Sequence, residues 1–209
     1  MLNFLDRCLV EVDRALKTLT VKPSASADWS DQMVEDSPMT AHEKKQSAAL
    51  MRVNHCGEVC AQALYRAQAW AAHSPKLSQK MLSCAMEENN HLAWCHERLE
   101  QLDAHVSYLN PLWYAGSFCI GAFAAWVGDA YSLGFVAETE KQVGAHLAGH
   151  LNRLPKSDQV SRLIIQKMQE EEAMHEQMAH EQGACDLPGP VAWLMGRVSR
   201  IMTAISYYI

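Results

Sequence analysis

The sequence lacks several features that would each have named a class of protein. No run of about 18 or more purely apolar residues occurs, so no clear membrane-crossing helix is predicted. The N-terminus does not read as a secretory signal, because Asp6, Glu11 and Asp13 interrupt what would be its apolar region. No Cys-x-x-Cys is present, and the cysteines number seven, an odd count. A disulfide framework and a structural zinc site are therefore disfavoured, and buried free thiols in a reducing compartment are the simpler expectation. Positive charge is not in excess either: the net charge is −6, so no broad basic field is offered to nucleic acid. No G-x-G-x-x-G fingerprint for a flavin or nicotinamide dinucleotide occurs. Strand patterns are nearly absent.

What remains reads as helix. Residues 2–20 carry Leu5, Leu9, Val12, Leu16 and Leu19 at helical spacing, which predicts a short amphipathic helix within 1–21. Residues 22–39 gather Pro23, Ser24, Ser26, Ser30, Asp31, Ser37 and Pro38, the composition of a linker. Thr40 with Glu43 three residues on is a capping-box signature, and a long helix is predicted from there to about His73. Ser74-Pro75 ends it and opens a second, running to about Asp103. Residues 112–127, LWYAGSFCIGAFAAWV, form an uncharged stretch of 16. Either it is a buried helix, or it is a surface that touches lipid or a greasy ligand. Helices follow over about 129–154 and 157–182, and a last one over 191–207. The expected domain plan is a bundle over 40–185, with 186–209 as a C-terminal helix on the bundle or on a membrane.

The informative residues are carboxylates on the wrong faces. In the second long helix Met81, Cys84, Glu88, His91, Leu92, Cys95, Leu99 and Leu102 share one stripe. Only Glu88 and His91 break its apolar character. The helix over 157–182 repeats the pattern with Ile164, Ile165, Met168, Glu172, His175 and Met178. Glu140 interrupts the stripe Leu133, Val136, Val143, Leu147, Leu151, and Glu58 is the sole formal charge on the face Leu50, Met51, Asn54, Ala61, Tyr65, Ala69.

Burying one ionised carboxylate without a partner is very costly, and burying four together demands cations. Two divalent metals balance four carboxylates, and two neutral histidines complete the ligand set without adding charge. The order is Glu58, then Glu88-x-x-His91 30 residues on; then Glu140, with Glu172-x-x-His175 after 32. The chain thus reads as two copies of one half-site, the arrangement of ferritin-like di-iron and di-manganese bundles. Oxygen and imidazole donors suit iron or manganese, whereas zinc favours tetrahedral sites richer in His or Cys.

MRVNHCGEVCAQALY (51–65), MEENNHL (86–92), ETEKQVGAHL (138–147) and EEEAMHE (170–176) together carry a family likeness. Over residues 40–209 the chain resembles the demethoxyubiquinone hydroxylases, di-iron monooxygenases of ubiquinone biosynthesis; Cys56 stands where alanine is common. The resemblance implies an all-α, ferritin-like four-helix bundle with a short N-terminal helix and a C-terminal amphipathic helix. It implies two Fe ions per chain, held by Glu58, Glu88, His91, Glu140, Glu172 and His175. Tyr65 and His146 are the candidate catalytic residues beside them.

The implied reaction is O2-dependent hydroxylation of a polyprenylated methoxy-methyl-benzoquinol. Its greasy substrate implies a membrane surface as partner, peripheral attachment on the cytoplasmic side of the cell membrane, and a possible ubiquinone-biosynthesis protein partner. The competing reading is a ferritin-like iron-binding or oxidase protein without a quinone substrate.

Overall fold

The computed structural model describes residues 3–26 and 35–209. The predicted linker's middle, with Ser30 and Asp31, lies outside the described residues, as does Leu2 at the start of the predicted first helix. Among the described residues seven helices follow in order: α1 (Phe4–Thr20), α2 (Ala41–Ala71), α3 (Pro75–Gln101), α4 (Asn110–Val127), α5 (Asp129–Arg153), α6 (Gln159–Glu181) and α7 (Gly189–Ser206). No strand occurs among the described residues.

Local chemistry sets the boundaries. Thr40 accepts from the Glu43 amide while the Glu43 carboxylate accepts from Thr40 N, the reciprocal cap that opens α2. Ser74 caps α3 with Pro75 in the first turn. Asp158 caps α6 through Ser161 N, 2.9 Å away. That carboxylate is fully buried and is paired with Arg98 of α3 at 2.7 Å. Arg98 also holds Asp36 at 2.6 Å, so the segment before α2 is pinned to the end of the bundle by one guanidinium.

Helices α2, α3, α5 and α6 form the four-helix bundle. α2 packs on α3 and α5 on α6 as antiparallel pairs, each joined at one end by a direct or short connection. α4 is the crossover between the pairs. Asn110 at its start lies beside His55 of α2 and Gly121 lies against Leu64 and Ala67, so α4 runs parallel to α2. A Cβ at Gly121 would sit 2.7 Å from the Leu64 carbonyl oxygen, so this close crossing depends on glycine. Gly128, at φ 149, turns the chain between α4 and α5 where a side chain would be strained.

The apolar core lies in two main clusters along the bundle axis. One gathers Leu50, Met51, Trp94, Leu99, Leu147, Ile164, Ile165 and Met168; the other gathers Tyr65, Met81, Cys84, Leu133, Val136 and Ala179. Between them lie the polar residues described below.

Three apolar surfaces depart from a simple burial pattern. The 112–127 stretch is not a fully buried helix. Tyr114, Gly121, Ala124 and Ala125 pack inward, while Leu112, Phe123 and Trp126 face outward at 60–71% exposure. In α1 the stripe Leu5, Leu9, Val12, Leu16 faces away from the bundle, while Ala15 and Leu19 near its end pack against the core. α7 buries Ser206 alone and exposes Trp193, Leu194, Val198 and Ile201. The seven cysteines are all free; Cys56, Cys84 and Cys95 are buried as expected, whereas Cys119 on α4 is exposed.

Candidate metal centre

One residue from each of α2 and α5, and two from each of α3 and α6, converge in the middle of the bundle. Glu58, Glu88, Glu140, Glu172, His91 and His175 are all at most 5% exposed. Their ligand atoms fall into two quartets. Glu58, Glu88, His91 and Glu172 form one; Glu88, Glu140, Glu172 and His175 form the other; within each, the donor atoms lie within 4.8 Å of one another. Glu88 and Glu172 belong to both quartets. They come from equivalent positions of α3 and α6, so the half-site repeat in the sequence becomes an approximate twofold arrangement of donors.

Helix geometry explains the pairing. A Glu and a His three residues apart lie one above the other on a single helix face. His91 Nδ1 is 3.0 Å from Glu88 Oε2 and 3.2 Å from Glu172 Oε1. His175 Nδ1 is 3.0 Å from Glu88 Oε1 and 3.3 Å from Glu172 Oε2. Both rings therefore aim Nδ1 at the carboxylates.

Their outer nitrogens are held from the opposite helix. His91 Nε2 stands 2.7 Å from Glu171 Oε2, and His175 Nε2 stands 2.8 Å from Glu87 Oε2. Each Glu-x-x-His histidine is thus oriented by the glutamate that precedes the other motif. Sequence reading did not select Glu87 or Glu171. The signal was the doubled glutamate before each motif, Glu87-Glu88 and Glu171-Glu172.

The electrostatics are those of a site built around cations. Burial pushes the Glu58 carboxyl well above its ordinary range, and the Glu88 charge adds to this against the pull of His91. Burial, then the charges of Glu172 and Glu88, push Glu140 up likewise. Burial would also raise Glu88, but His91 and His175 outweigh it and hold that carboxyl below the usual range. Burial opposes charge on both histidines. Even so, Glu88 and the other carboxylates raise His91 strongly, and Glu172 and Glu88 raise His175 to about 12.

The donor set fits two divalent metals. Four carboxylates share one buried volume, and among the described residues no lysine or arginine pairs with any of them. Protons on histidine and glutamate are then the compensating charge, and metal ions are the alternative that lets all four carboxylates ionise. Glu88 Oε1 is especially telling. It lies 3.0 Å from His175 Nδ1 without the alignment of a hydrogen bond, so this buried oxygen has no donor among the described residues. A metal ion would satisfy it.

The other two sequence candidates fall in different places. Tyr65, 2% exposed, donates its hydroxyl proton to Glu140 Oε1 at 2.6 Å. It also lines a narrow pocket between α2 and α5 with Ala61, Leu64, Gln68, Phe135, Thr139 and Glu140, the one site carboxylate that reaches it. His146 is brought against none of the six. Its ring lies tilted against His150, centroids 3.9 Å apart; His150 Nδ1 is 2.8 Å from Asn54 Oδ1, and the Nε2 of His146 has no hydrogen-bond partner among the described residues. Cys84 and Cys95 flank the site as buried thiols; burial pushes Cys84 to about 12 and Cys95 well up, which disfavours the thiolate form.

Comparison with known proteins agrees with this geometry. The family model described as ubiquinone biosynthesis protein COQ7 matches residues 45–206. A 3-demethoxyubiquinol 3-hydroxylase of Legionella pneumophila (strain Paris) is 49% identical over 209 residues, covering 99% of this chain and 98% of the relative. Proteins of the same name from Polaromonas sp. (strain JS666) and Variovorax paradoxus (strain S110) are 50% and 48% identical; the matches cover 98% and 100% of this chain and the same shares of the relatives.

Proposed function

The chain belongs to the ubiquinone biosynthesis protein COQ7 family, and from that premise we propose how its residues carry out the family's reaction. The chain is an enzyme, a hydroxylating oxidoreductase of ubiquinone biosynthesis acting on the ring of 3-demethoxyubiquinol. The observation that carries the rest of the reading is the pair of donor quartets sharing Glu88 and Glu172.

Two iron ions would be held by the two quartets, one by Glu58 and His91 and the other by Glu140 and His175, each with Glu88 and Glu172 within reach. Bound there, the irons would supply the electrons and Lewis acidity that O2 needs before it can hydroxylate a ring. The residues of the chain do the remainder. Glu171 and Glu87 fix the two imidazoles by accepting from Nε2, which leaves Nδ1 as the donor to metal. Tyr65 donates to Glu140 Oε1 and so holds that carboxylate's orientation.

The pocket beside Tyr65 is the proposed approach for the quinol ring. Ala61, Leu64 and Phe135 give it apolar walls, which exclude water from the reacting edge. A polyprenyl tail continuing outward between α2 and α5 would emerge near α7, whose outer face exposes Trp193, Leu194 and Val198. No helix among the described residues is long and apolar enough to cross a membrane. We therefore propose peripheral attachment at the cytoplasmic face of the cell membrane, with α4 and α7 supplying the apolar contact.

The test is single-turnover chemistry on purified protein loaded anaerobically with Fe(II). The expected result is two irons per chain and one oxygen atom from labelled O2 in the quinol product. One iron per chain, or label entering from water instead, would overturn the assignment. A ferritin-like storage role, the competing reading, has no use for an apolar pocket ending at Glu140.

A further inference from the structure

A third group of donors stands outside the two quartets. Cys84, Glu87 and His175 bring a thiol, a carboxylate and an imidazole nitrogen within 4.8 Å of one another. The trio lies on the side of His175 turned away from Glu88 and Glu172, where Nε2 stands 2.8 Å from Glu87 Oε2. Cys84 is fully buried, whereas the Glu87 side chain is 48% exposed and opens the group to solvent.

The half-site repeat makes this trio an exception. Cys84 and Met168 hold equivalent positions, four residues before Glu88 and Glu172. Ser83 and Lys167 likewise stand four residues before Glu87 and Glu171. Lys167 pairs with Glu171 at 2.9 Å, so a cation arriving at His91 Nε2 meets a carboxylate already neutralised, and the repeat offers it methionine in place of a thiol. Ser83 gives Glu87 only a hydroxyl, at 3.1 Å, and no lysine or arginine pairs with Glu87 among the described residues. No corresponding trio forms around the outer nitrogen of His91 among the described residues.

The donor chemistry differs from that of the quartets. Sulfur, nitrogen and oxygen ligands together suit zinc, and three protein ligands with one position left to water is a coordination zinc adopts readily. Burial holds the Cys84 thiol protonated against the pull of His175 and Lys80, so binding an ion there releases that proton to solvent. The imidazole imposes a choice. A neutral histidine has one ring nitrogen free to bind a metal, and the other carries the proton. With Nδ1 on iron, Nε2 keeps the proton and donates to Glu87. With Nε2 on zinc, the proton sits on Nδ1, and the ring no longer serves the quartet of Glu88, Glu140 and Glu172.

We propose that Cys84, Glu87 and His175 form an outer zinc site, and that zinc held there excludes iron from the Glu140–His175 half of the centre. An excess of zinc over iron then leaves the chain half-loaded. The exclusion rests on the di-iron reading above, whereas the outer site does not.

The experiment is anaerobic titration of the full chain with cobalt(II), which takes zinc's ligands and is visible. Thiolate bound to cobalt gives a near-ultraviolet charge-transfer band that carboxylate and imidazole ligands do not. The band is expected in the wild type and in Cys95→Ser, and is expected to be absent in Cys84→Ser. Glu87→Gln, at an exposed position where folding is not at stake, should need several-fold more cobalt to reach it. No band in the wild type, or a band that survives in Cys84→Ser, would overturn the site. In a second arm the chain receives one equivalent of zinc, then excess Fe(II), and is desalted. The wild type should retain one iron where Cys84→Ser retains two, and equal iron in both would overturn the exclusion. Iron uptake without zinc is the control. A count other than two there would count against the di-iron reading, while the cobalt band still decides the outer site.

Discussion

Replacing Glu171 tests whether the histidines are held as metal ligands. Its carboxylate lies 2.7 Å from His91 Nε2, and hydrogen bonding from that histidine, with help from Lys167, keeps it ionised with a pKa near 2. His91 is completely buried and Glu171 only 22% exposed, so solvent screens this contact little. Outer partners of ligating histidines are typically worth 10–100-fold in metal affinity, or about 1.4–2.8 kcal/mol.

Glu171→Ala should sit at the upper end, a loss of about 100-fold, because it removes both charge and acceptor. Glu171→Gln retains an acceptor and should lose about tenfold. Glu87 makes the matching contact to His175 at 2.8 Å, but its side chain is 48% exposed. Solvent screens that pair, and Glu87→Ala should lose less than tenfold. The assay is anaerobic Fe(II) competition against a chelator of known affinity, with circular dichroism as the check on folding. Unchanged affinity in Glu171→Ala, or a larger loss in Glu87→Ala, would refute the reasoning.

Three further outcomes follow from the same structure. Tyr65→Phe should leave iron stoichiometry at two and KM nearly unchanged, while kcat falls by about tenfold or more from loss of a hydrogen bond to a charged group; a variant with unaltered turnover would remove Tyr65 from any positioning role. Arg98→Ala strands the fully buried Asp158 carboxylate and should destabilise the fold by about 3–5 kcal/mol in urea unfolding, and a loss below about 1 kcal/mol would show that solvent reaches the pair. His150 is depressed to about 3 chiefly by burial, with the charges of His146 and Arg153 adding to it. The unfolded chain, with histidine near 6.5, therefore binds the extra proton between those values, and wild-type stability falls as pH drops from about 6.5 toward 3. The stability gap between wild type and His150→Asn should narrow by about 2 kcal/mol from pH 7 to pH 5, and a constant gap would contradict the burial argument.

Much of this architecture could be read from periodicity. The stripes that placed Glu58, Glu88, Glu140 and Glu172 on apolar faces are a consequence of helix phase, and phase survives folding unchanged. Capping residues such as Thr40 and Ser74 act within one turn, so the helix starts were also legible.

What escaped was set by partners on other helices. Glu87 and Glu171 sit one residue off their stripes and read as solvated; only the α3–α6 crossing makes each the partner of the opposite histidine. His146 stands near the ligand Glu140 in sequence, but six residues along a helix is close to two turns, and its neighbour there is His150 instead. Hydropathy marked 112–127 as apolar and 2–20 as amphipathic, yet it carries no information about which side of a helix meets the bundle. Close approach at Gly121 and the turn at Gly128 fixed α4 as a crossover with one open face. In α1 Leu5, Leu9, Val12 and Leu16 face outward while Glu11 is half-buried, the reverse of what amphipathicity alone suggests.

The most direct test of the central claim is the quinone pool of cells from which this protein has been deleted, measured by mass spectrometry after return of the wild-type chain or of Glu172→Ala. The account predicts demethoxyubiquinone accumulation with ubiquinone lost in the deletion, restoration by the wild-type chain, and no restoration by Glu172→Ala at equal protein level. Full restoration by Glu172→Ala would contradict the shared-carboxylate metal centre, and an unchanged quinone pool in the deletion would contradict the hydroxylase function itself.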